Sequence, residues 1–326
     1  MKVVFITRGG LEMGMGHVSR SITLAKELKN DTDVLFLINA DDTVMQQIVS
    51  AGFKAEFCVD EQLLNRLEKI NPDIVIIDRL KVEESFAGSL KNALKAKLVI
   101  FGNTTKANDY ADIVVNAVVG SKFISRMYQD RNTLYFCGPK YYVLRNDFYA
   151  FQKLGKKTPP IVNNILLIFG GSDPSNLTTL TLSELLNSDR NYNLDVILGA
   201  HFSFREELDH LLIQYQGKKN PINIYSNINN VAELMYKADL VITSPGVSFF
   251  ESLCVGTQVI SVNQNSLQES WMEGSLSSLN KHEISKISFL ITNFDFINPN
   301  SEFIRRLEIG EGKTDLVNNI LKARGN

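Results

Sequence analysis

Short runs of apolar and β-branched residues recur along the chain, separated by segments with helical spacing. In the first half these runs are KVVFIT, DVLFLIN, DIVIID, KLVIF and DIVVN. They lack polar alternation, which is typical of parallel strands covered by helices on both faces. Between them, HVSRSITLAKELK places Val18, Ile22, Ala25 and Leu28 on one helical face. Alternating strands and helices predict a doubly wound α/β fold.

The same pattern restarts after KLGKKTPP, residues 153–160, a charged and then proline-rich segment typical of a linker. Beyond it, NILLIF, LDVILG, INIYS, DLVIT and QVISVN predict a second set of buried strands. We therefore predict two Rossmann-like doubly wound domains facing a cleft, over residues 1–155 and 161–326. The last helical segment, TDLVNNILKAR, could belong to either domain. Ligands of such sheets bind beyond the carboxyl ends of the strands, so the residues there are the candidate site.

The segment RGGLEMGMGH follows the first strand and contains Gly14 and Gly16. Glycines allow a tight turn and a close approach of backbone to ligand. The helix that begins near His17 offers free N–H groups and the positive end of its dipole to an anion. Neither the dinucleotide fingerprint GxGxxG nor the P-loop GxxxxGK[ST] is present, and the second strand ends in Asn39 rather than in an acid. NAD binding and P-loop ATP hydrolysis are therefore disfavoured.

His17 is the candidate general base of the first domain. The helix dipole favours the neutral imidazole, which can accept a proton from water or a hydroxyl group, although His17 could instead cap the helix or pack in the cleft wall. Asp78 follows the strand DIVII, where it could orient His17 or a substrate hydroxyl, or cap a helix or pair with Arg79. Asn103 and Asn116 follow other strands and could line the cleft.

Two turns in the second half are candidates for nucleotide binding. In IFGGSDPSN, Gly170 and Gly171 allow close backbone approach, while Ser172 and Asp173 supply polar contacts or a cap for a helix near Asn176.

The second turn, TSPGVSFFESLCVG, combines small residues with a helix N-terminus, which in principle suits a pyrophosphate. Its candidate donors are Ser244, Gly246, Val247 and Ser248. Glu251 follows one turn later, where it could accept hydrogen bonds from both ribose hydroxyls or remain a solvated carboxylate.

Composition narrows the class of protein further. The formal net charge is −2 with scattered Lys and Arg, so we expect no nucleic-acid partner. No stretch approaches 18 continuous apolar residues and the start lacks a signal-peptide pattern, so we expect no integral membrane segment. The 3 cysteines are far apart without CxxC spacing, which favours buried thiols in a cytoplasmic protein.

Five segments resemble a known family in order along the chain: MGMGHVSRSITLAKEL, GPKYYVLRNDF, IFGGSDPSNL, NINNVAELMYKADLVITSPGVSFFESLCVGTQVI and VNQ. They are similar to the UDP-sugar hydrolases of pseudaminic acid biosynthesis and to their spore-coat polysaccharide relatives, with wider kinship to GT-B glycosyltransferases. The resemblance implies hydrolysis of UDP-2,4-diacetamido-2,4,6-trideoxy-β-L-altropyranose without a metal ion or other cofactor. The partner that it implies is a small-molecule UDP-sugar.

The resemblance also implies roles for particular residues. His17, in the GxGHxxR element, is the implied base, and the glycine loop around it faces the sugar and diphosphate. The candidate residues on the sugar side are Gly14, Gly16, Arg20, Asn103 and Asn116. The UDP contacts carried over by motif are Gly171, Ser172, the backbone near Ile228, Ser244, Gly246, Val247, Ser248, Glu251 and Asn263, and Gly170 and Asp173 are further candidates in the turn that contains Gly171.

The chain departs from the hydrolase pattern at two points on the sugar side. Arg79 and Leu80 follow Asp78, where the hydrolase has a histidine and usually an aromatic residue, and Gly102 and Asn103 replace paired acids. We interpret the sequence as that of an inverting UDP-sugar hydrolase in which His17 deprotonates water. One alternative is a GT-B glycosyltransferase with a sugar hydroxyl as acceptor, and another is a nucleotide-sugar-binding protein without catalysis.

Overall fold

The structure is a computed structural model that describes residues 1–10, 15–40, 42–79, 81–117, 125–157, 159–217, 220–272, 277–293 and 307–322. The chain forms two compact units. The first contains the described residues of Met1–Val119, Phe123–Val143 and Leu307–Asn326, and the second those of Leu144–Arg306.

The first unit is built on an eight-stranded sheet. Among the described residues, its strands in spatial order are β3 (Lys54–Phe57), β2 (Asp33–Ile38), β1 (Lys2–Thr7), β4 (Ile74–Asp78), β5 (Lys97–Phe101), β6 (Ile113–Asn116), β8 (Thr133–Cys137) and β7 (Arg126–Asp130). Neighbouring strands run parallel except β7, which is antiparallel to β8. The chain leaves β1 toward β2 and later returns to β4 on the other side, so the switch point of this sheet lies between β1 and β4.

Helices cover both faces of this sheet. They are α1 (Gly16–Leu28), α2 (Asp42–Ser50), α3 (Leu63–Ile70), α4 (Glu84–Ala93) and the C-terminal α12 (Lys313–Lys322). Val3 and Phe5 of β1 pack in the core that contains α1, α2 and α12, while Val4 and Ile6 pack in the core that contains α3 and α4. Successive strand residues point to opposite faces, which is why β1 is apolar throughout.

The second unit repeats this architecture. Its described strands, all parallel, are in spatial order β11 (Ile222–Ser226), β10 (Asn193–Leu198), β9 (Asn164–Ile168), β12 (Leu240–Thr243), β13 (Gln258–Asn263) and β14 (Ser278–Asn280). Its described helices are α5 (Asn146–Leu154), α6 (Leu177–Leu186), α7 (Arg205–Gln214), α8 (Val231–Lys237), α9 (Val247–Cys254), α10 (Ser266–Trp271) and α11 (Ile287–Asn293). The switch point lies between β9 and β12.

The predicted fold class, two Rossmann-like doubly wound α/β domains, is confirmed. The boundaries of the two units differ from the division at residues 155 and 161. Helix α5 belongs to the second unit because it packs on α8 and α9. Helix α12 belongs to the first unit because Leu316 and Ile320 are buried in the core beside α1. Among the described residues, no helix is long and apolar enough to cross a membrane.

Candidate active site

His17 and Asp78 meet at the switch point of the first sheet. His17 is the second residue of α1, the helix after β1, and Asp78 is the last residue of β4. Thr7, the last residue of β1, pairs with Asp78, so the chain leaving β1 starts beside the end of β4. His17 Nδ1 lies 2.7 Å from Asp78 Oδ1. The side chain of Asp78 is 2% exposed and that of His17 is 21% exposed, so the imidazole is the member of the pair that reaches solvent.

Arg20 holds the same carboxylate from the next turn of α1. Its Nε donates to Asp78 Oδ2 at 2.8 Å, its Nη2 donates to Oδ1, and Ser21 Oγ donates to Oδ2 at 3.3 Å. Burial alone would raise the pKa of Asp78, but the charge and hydrogen bonds of Arg20, together with His17, outweigh burial and lower it. Asp78 is therefore an ionised, multiply hydrogen-bonded carboxylate.

The ionised state of Asp78 assigns the tautomer of His17. A carboxylate only accepts hydrogen bonds, so its contact with Nδ1 requires the proton on Nδ1. Arg20 Nη2 also lies 3.2 Å from Nδ1, but a protonated Nδ1 has no lone pair, and we assign the Nη2 hydrogen bond to Asp78. In the neutral ring the lone pair is then on Nε2, which is the arrangement that a general base needs.

The N-terminus of α1 carries no side-chain cap. Met15 precedes the helix without a side-chain hydrogen bond to its first turn, and Gly16 is the first helical residue. The backbone N–H groups of Gly16 and His17 have no partner among the described residues, so this end of the helix suits an anion. Gly14, also predicted at this site, lies outside the described residues.

Asn103 and Asn116 organise the chain beyond β5. Asn103 is fully buried, its Oδ1 accepts from Val82 N at 3.1 Å, and its Nδ2 donates to Thr105 Oγ1 and Asn108 Oδ1 at 3.0 Å each. Asn116 Nδ2 donates to the carbonyl oxygen of Asn103 at 3.2 Å. These bonds stabilise the loop, and the predicted contact of both residues with a sugar stays a prediction.

The turn after β12 presents a free helix N-terminus in the second unit. Buried Ser244 directly follows β12, and Gly246 precedes α9 without a side-chain cap or an acidic residue in the first turn. The backbone N–H groups of Val247 and Ser248 have no partner among the described residues, and the Ser248 side chain is half-buried. Free N–H groups, a hydroxyl group and the positive dipole end suit a diphosphate.

Glu251 lies one turn further along α9 and is 8% exposed. No hydrogen bond from a described residue contributes to its pKa. Burial raises the pKa of Glu251 to about 7, with Arg145 opposing the shift and Asp147 adding to it. A buried carboxyl group without partners is unfavourable by itself. A vicinal diol would supply two donors to it.

The loops after β9 and β11 contain three further predicted residues, and the loop after β10 packs against the first of these loops. Gly170 has a φ of +81°, which favours glycine, and Gly171 follows it. A Cβ atom at Gly199 would lie 2.3 Å from the carbonyl oxygens of both, so Gly199 lets the β9 loop pass against the end of β10. Gly199 is not among the residues predicted from the sequence, although a glycine directly after the strand pattern LDVIL is a signal for a close approach of backbone. Ile228 is half-buried between β11 and α8, and its contact with UDP stays a prediction.

Asp173 caps the helix that follows the Gly170–Gly171 turn. Its Oδ1 accepts from Leu177 N at 2.9 Å and its Oδ2 accepts from Thr178 N at 2.8 Å. Burial raises the pKa of Asp173, and these hydrogen bonds oppose the shift. The carboxylate thus occupies the N-terminus of α6, which begins at Leu177, while the half-buried Ser172 lies beside it. Of the two helix N-termini, α9 is the uncapped one.

Asn263 and its neighbour Gln264 form hydrogen bonds with different strands at the end of β13. Asn263 Nδ2 donates to Ser278 Oγ at 3.2 Å and to Asn280 Oδ1 at 2.9 Å, so its side chain binds β14. Gln264 Nε2 instead donates to Phe169 O at 3.2 Å and to Ser244 Oγ at 3.0 Å, joining the ends of β9 and β12. Gln264 is therefore the side chain at the switch point, and the predicted contact of Asn263 with UDP stays a prediction.

No family model matches the sequence. The uncharacterized protein MJ1062 of Methanocaldococcus jannaschii is 45% identical over 295 residues, which are 88% of this chain and 60% of that protein. The spore coat polysaccharide biosynthesis protein SpsG of Bacillus subtilis is 28% identical over 269 residues, 81% of this chain and 78% of that protein. UDP-2,4-diacetamido-2,4,6-trideoxy-β-L-altropyranose hydrolase of Campylobacter jejuni is 23% identical over 256 residues, 78% of this chain and 88% of that protein. The chain thus spans 60% of the length of the Methanocaldococcus protein.

Solved structures resemble the chain over nearly its whole length. MurG of Acinetobacter baumannii has a TM-score of 0.62 at 12% identity, covering 99% of this chain and 100% of that one. HepE of Anabaena, solved with UDP and glucose, has a TM-score of 0.52 at 14% identity, covering 99% and 97%. At these identities the likeness shows the fold alone, which is the GT-B fold.

Proposed function

We propose that this chain hydrolyses a UDP-sugar at the anomeric carbon and releases UDP and the free sugar. The His17–Asp78 pair carries the proposal. A buried, ionised carboxylate accepts the Nδ1 proton at 2.7 Å, which leaves the Nε2 lone pair of a partly exposed imidazole available. An oriented His–carboxylate pair of this kind is a general base.

In the proposed reaction, His17 Nε2 takes a proton from water while the water oxygen bonds to the anomeric carbon. The bond from that carbon to the β-phosphate oxygen breaks, and its electron pair leaves with UDP. Attack opposite the leaving group inverts the anomeric centre. Asp78 stabilises the imidazolium that forms, and the hydrogen bonds from Arg20 keep Asp78 ionised.

We assign UDP to the second unit. The uncapped N-terminus of α9 would hold the diphosphate through the Val247 and Ser248 N–H groups, and Glu251 would accept the ribose hydroxyls. Donors already aimed at the diphosphate stabilise the charge that develops on it as UDP leaves. The proposal gives this role to protein groups rather than to a metal ion. Within the described ranges, no group of three or more His, Cys, Asp or Glu side chains is arranged as metal ligands.

The relatives support a class of sugar. The Campylobacter jejuni protein is named for hydrolysis of a UDP-linked diacetamido-trideoxy sugar, and the Bacillus subtilis protein for spore coat polysaccharide biosynthesis. We therefore propose a UDP-linked acetamido sugar, of which the diacetamido-trideoxy sugars are one example, used in nonulosonic acid or surface polysaccharide biosynthesis. The proposal concerns this chain, which matches 60% of the Methanocaldococcus protein.

Transfer to a sugar hydroxyl is the second candidate function. An acceptor hydroxyl presents the same kind of proton to His17 Nε2 as water does, so the His17–Asp78 geometry serves either acceptor. The solved structures of similar fold include MurG and HepE, the second with UDP and glucose bound. This alternative keeps the assignment of UDP to the second unit.

One experiment separates these functions. The protein is incubated with a panel of UDP-sugars in ¹⁸O-labelled water, and UDP and the free sugar are followed by mass spectrometry. Label in the free sugar supports hydrolysis at carbon, whereas label in the UDP phosphate would contradict it. UDP release only after addition of a sugar acceptor would establish transfer instead, and tight UDP-sugar binding without release would indicate a binding protein.

A further inference from the structure

Two arginines lie at the carboxyl edge of the first sheet, beside the candidate base. Arg8 directly follows β1 and Arg79 directly follows β4, and the preceding residues Thr7 and Asp78 are paired across the two strands. Since successive residues of a strand alternate between faces, Arg79 points away from the face on which Asp78 binds His17. The two arginines therefore flank the other side of the same sheet edge.

The carboxylate of Asp60 accepts hydrogen bonds from both arginines. Arg79 Nη1 and Nη2 donate to Asp60 at 3.3 and 3.1 Å, and Arg8 Nη2 donates to Asp60 Oδ2. The cluster formed by Arg8, Arg79 and Asp60 thus contains two positive charges and one negative charge. Burial lowers the pKa of Arg79, Asp60 opposes this, and Arg8 lowers it further, as expected when one carboxylate is shared between two cations.

The cluster also has unused donors. The Nε atoms of Arg8 and Arg79 are both buried and have no hydrogen-bond partner among the described residues. The side chain of Arg79 is 10% exposed, whereas those of Arg8 and Asp60 are 32% and 39% exposed. Buried donors are nearly always satisfied, so their lack of partners indicates a missing acceptor. Arg8 and Asp60 give that acceptor access from solvent.

We propose that Arg8 and Arg79 bind a carboxylate carried by the sugar of the UDP-sugar substrate. The inference rests on the function proposed above, because it takes the edge of the first sheet as the sugar side. One excess positive charge matches the single negative charge of a carboxylate, and guanidinium groups bind carboxylates through paired, planar hydrogen bonds. The substrate class is then a UDP-linked acetamido uronate, in which a carboxylate at C6 takes the place of the C6 methyl group of a diacetamido-trideoxy sugar.

Calorimetry with three probes tests the proposal: UDP, UDP-N-acetylglucosamine and UDP-N-acetylglucosaminuronate. The two sugars differ only in the group at C6, a hydroxymethyl or a carboxylate. We expect the unmodified protein to bind the uronate at least about 10-fold more tightly than the neutral sugar, and the Arg79→Gln variant to lose this preference while binding UDP unchanged. Arg66→Gln is the matched control, since Arg66 pairs with Glu56 at the exposed surface of the same unit.

Each outcome has a defined meaning. Failure of the unmodified protein to bind UDP would overturn both this inference and the proposed function. UDP binding with equal affinity for both sugars would overturn the carboxylate site alone. An Arg79→Gln variant that binds UDP itself more weakly would show that the arginines hold the diphosphate, which also overturns it. If that variant does not fold, Arg8→Gln, at the more exposed arginine, carries the same test.

Discussion

Thr7 and Asp78 are paired at the ends of β1 and β4, and this pairing brings together His17 and Asp78, which are 61 residues apart in sequence. The chain that leaves β1 enters α1 beside the end of β4, where Asp78 accepts the Nδ1 proton of His17. Thr7 Oγ1 also donates to the backbone carbonyl of Asp78 at 3.2 Å, so the end of β4 is held on both its side chain and its main chain. The candidate base is thus oriented by the order of strands in the sheet.

Replacing Asp78 by Asn removes the carboxylate that orients His17. The amide favours the wrong tautomer, and we expect kcat to fall about 10³- to 10⁴-fold while UDP binding is retained. The buried Arg20 loses its counter-ion, so the free energy of unfolding should fall by about 3 kcal/mol. Single-turnover kinetics and urea unfolding measure the two effects.

The stability effect of Asp78→Asn depends on pH in a defined direction. The pKa of Asp78 is lower in the folded protein than in the unfolded chain, where it has its ordinary value of about 4. Ionised Asp78 therefore makes its full contribution to the free energy of unfolding above about pH 4, and that contribution is lost as pH falls below this value. The gap in unfolding free energy between the two proteins should therefore narrow in acid. Glu56→Gln, at an exposed ion pair, is the control and should change stability by less than about 1 kcal/mol.

Replacing His17 by Asn or Ala removes the proposed base. We expect kcat to fall about 10²- to 10⁴-fold, because no other group is assigned to deprotonate the attacking water. The Kd for UDP should stay within about a factor of two, because the nucleotide is assigned to the second unit. His210→Asn, at an exposed position on α7, should leave both quantities unchanged. Full turnover by either His17 variant would exclude the base assignment.

Replacing Glu251 by Gln should change stability and UDP affinity in opposite directions. The pKa of Glu251 is raised from 4.5 to about 7, so the folded state binds the extra proton between these values. The free energy of unfolding of the unmodified protein should therefore decrease as pH rises from about 4.5 to 7 and level off above it. The free energy of unfolding of the Glu251→Gln variant should not show this decrease. At pH 8 it should exceed that of the unmodified protein by on the order of 2 kcal/mol.

UDP affinity tests the ribose contact of Glu251. The ionised carboxylate accepts hydrogen bonds from the hydroxyls, so affinity should rise as pH increases through about 7, and Glu251→Gln should bind about 10-fold more weakly at pH 8. Titration of dUDP, which lacks the 2′-hydroxyl, controls for ionisation of the phosphate itself. Glu207→Gln, on the exposed face of α7, is the matched variant. Equal binding of UDP by the Glu251 variant at every pH would argue against the contact.

Replacing Gly199 by Ala should disturb the turn that follows β9. The added Cβ would lie 2.3 Å from two backbone oxygens, so the Gly170–Gly171 segment must move. We expect the free energy of unfolding to fall by about 1–3 kcal/mol and UDP affinity to weaken. Ser203→Ala is the control, because Ser203 is an exposed residue of the same loop after β10. Destabilisation with unchanged UDP affinity would remove the Gly170–Gly171 turn from the nucleotide site.

Local pattern predicted much of the architecture. The apolar run KVVFIT became β1 with its predicted bounds, and HVSRSITLAKELK became α1 within one residue at each end. Strands β3, β7, β8 and β14 are absent from the predicted runs. Two of them, β3 (Lys54–Phe57) and β7 (Arg126–Asp130), have no buried residues and therefore no continuous apolar signal. Those strands are recognisable only through their pairing with β2 and β8.

The sequence by itself determined the alternation of strands and helices and which polar side chains stand at strand ends, because both depend on neighbours a few residues apart. Only the tertiary structure decided their partners. Asp78 binds His17 and Arg20 rather than Arg79, because alternation along β4 sends Arg79 to the other face, toward Asp60. In the same way, only the folded chain shows that Asp173 caps α6 whereas α9 has no side-chain cap. Such choices depend on strand order and register, which join residues far apart in the chain.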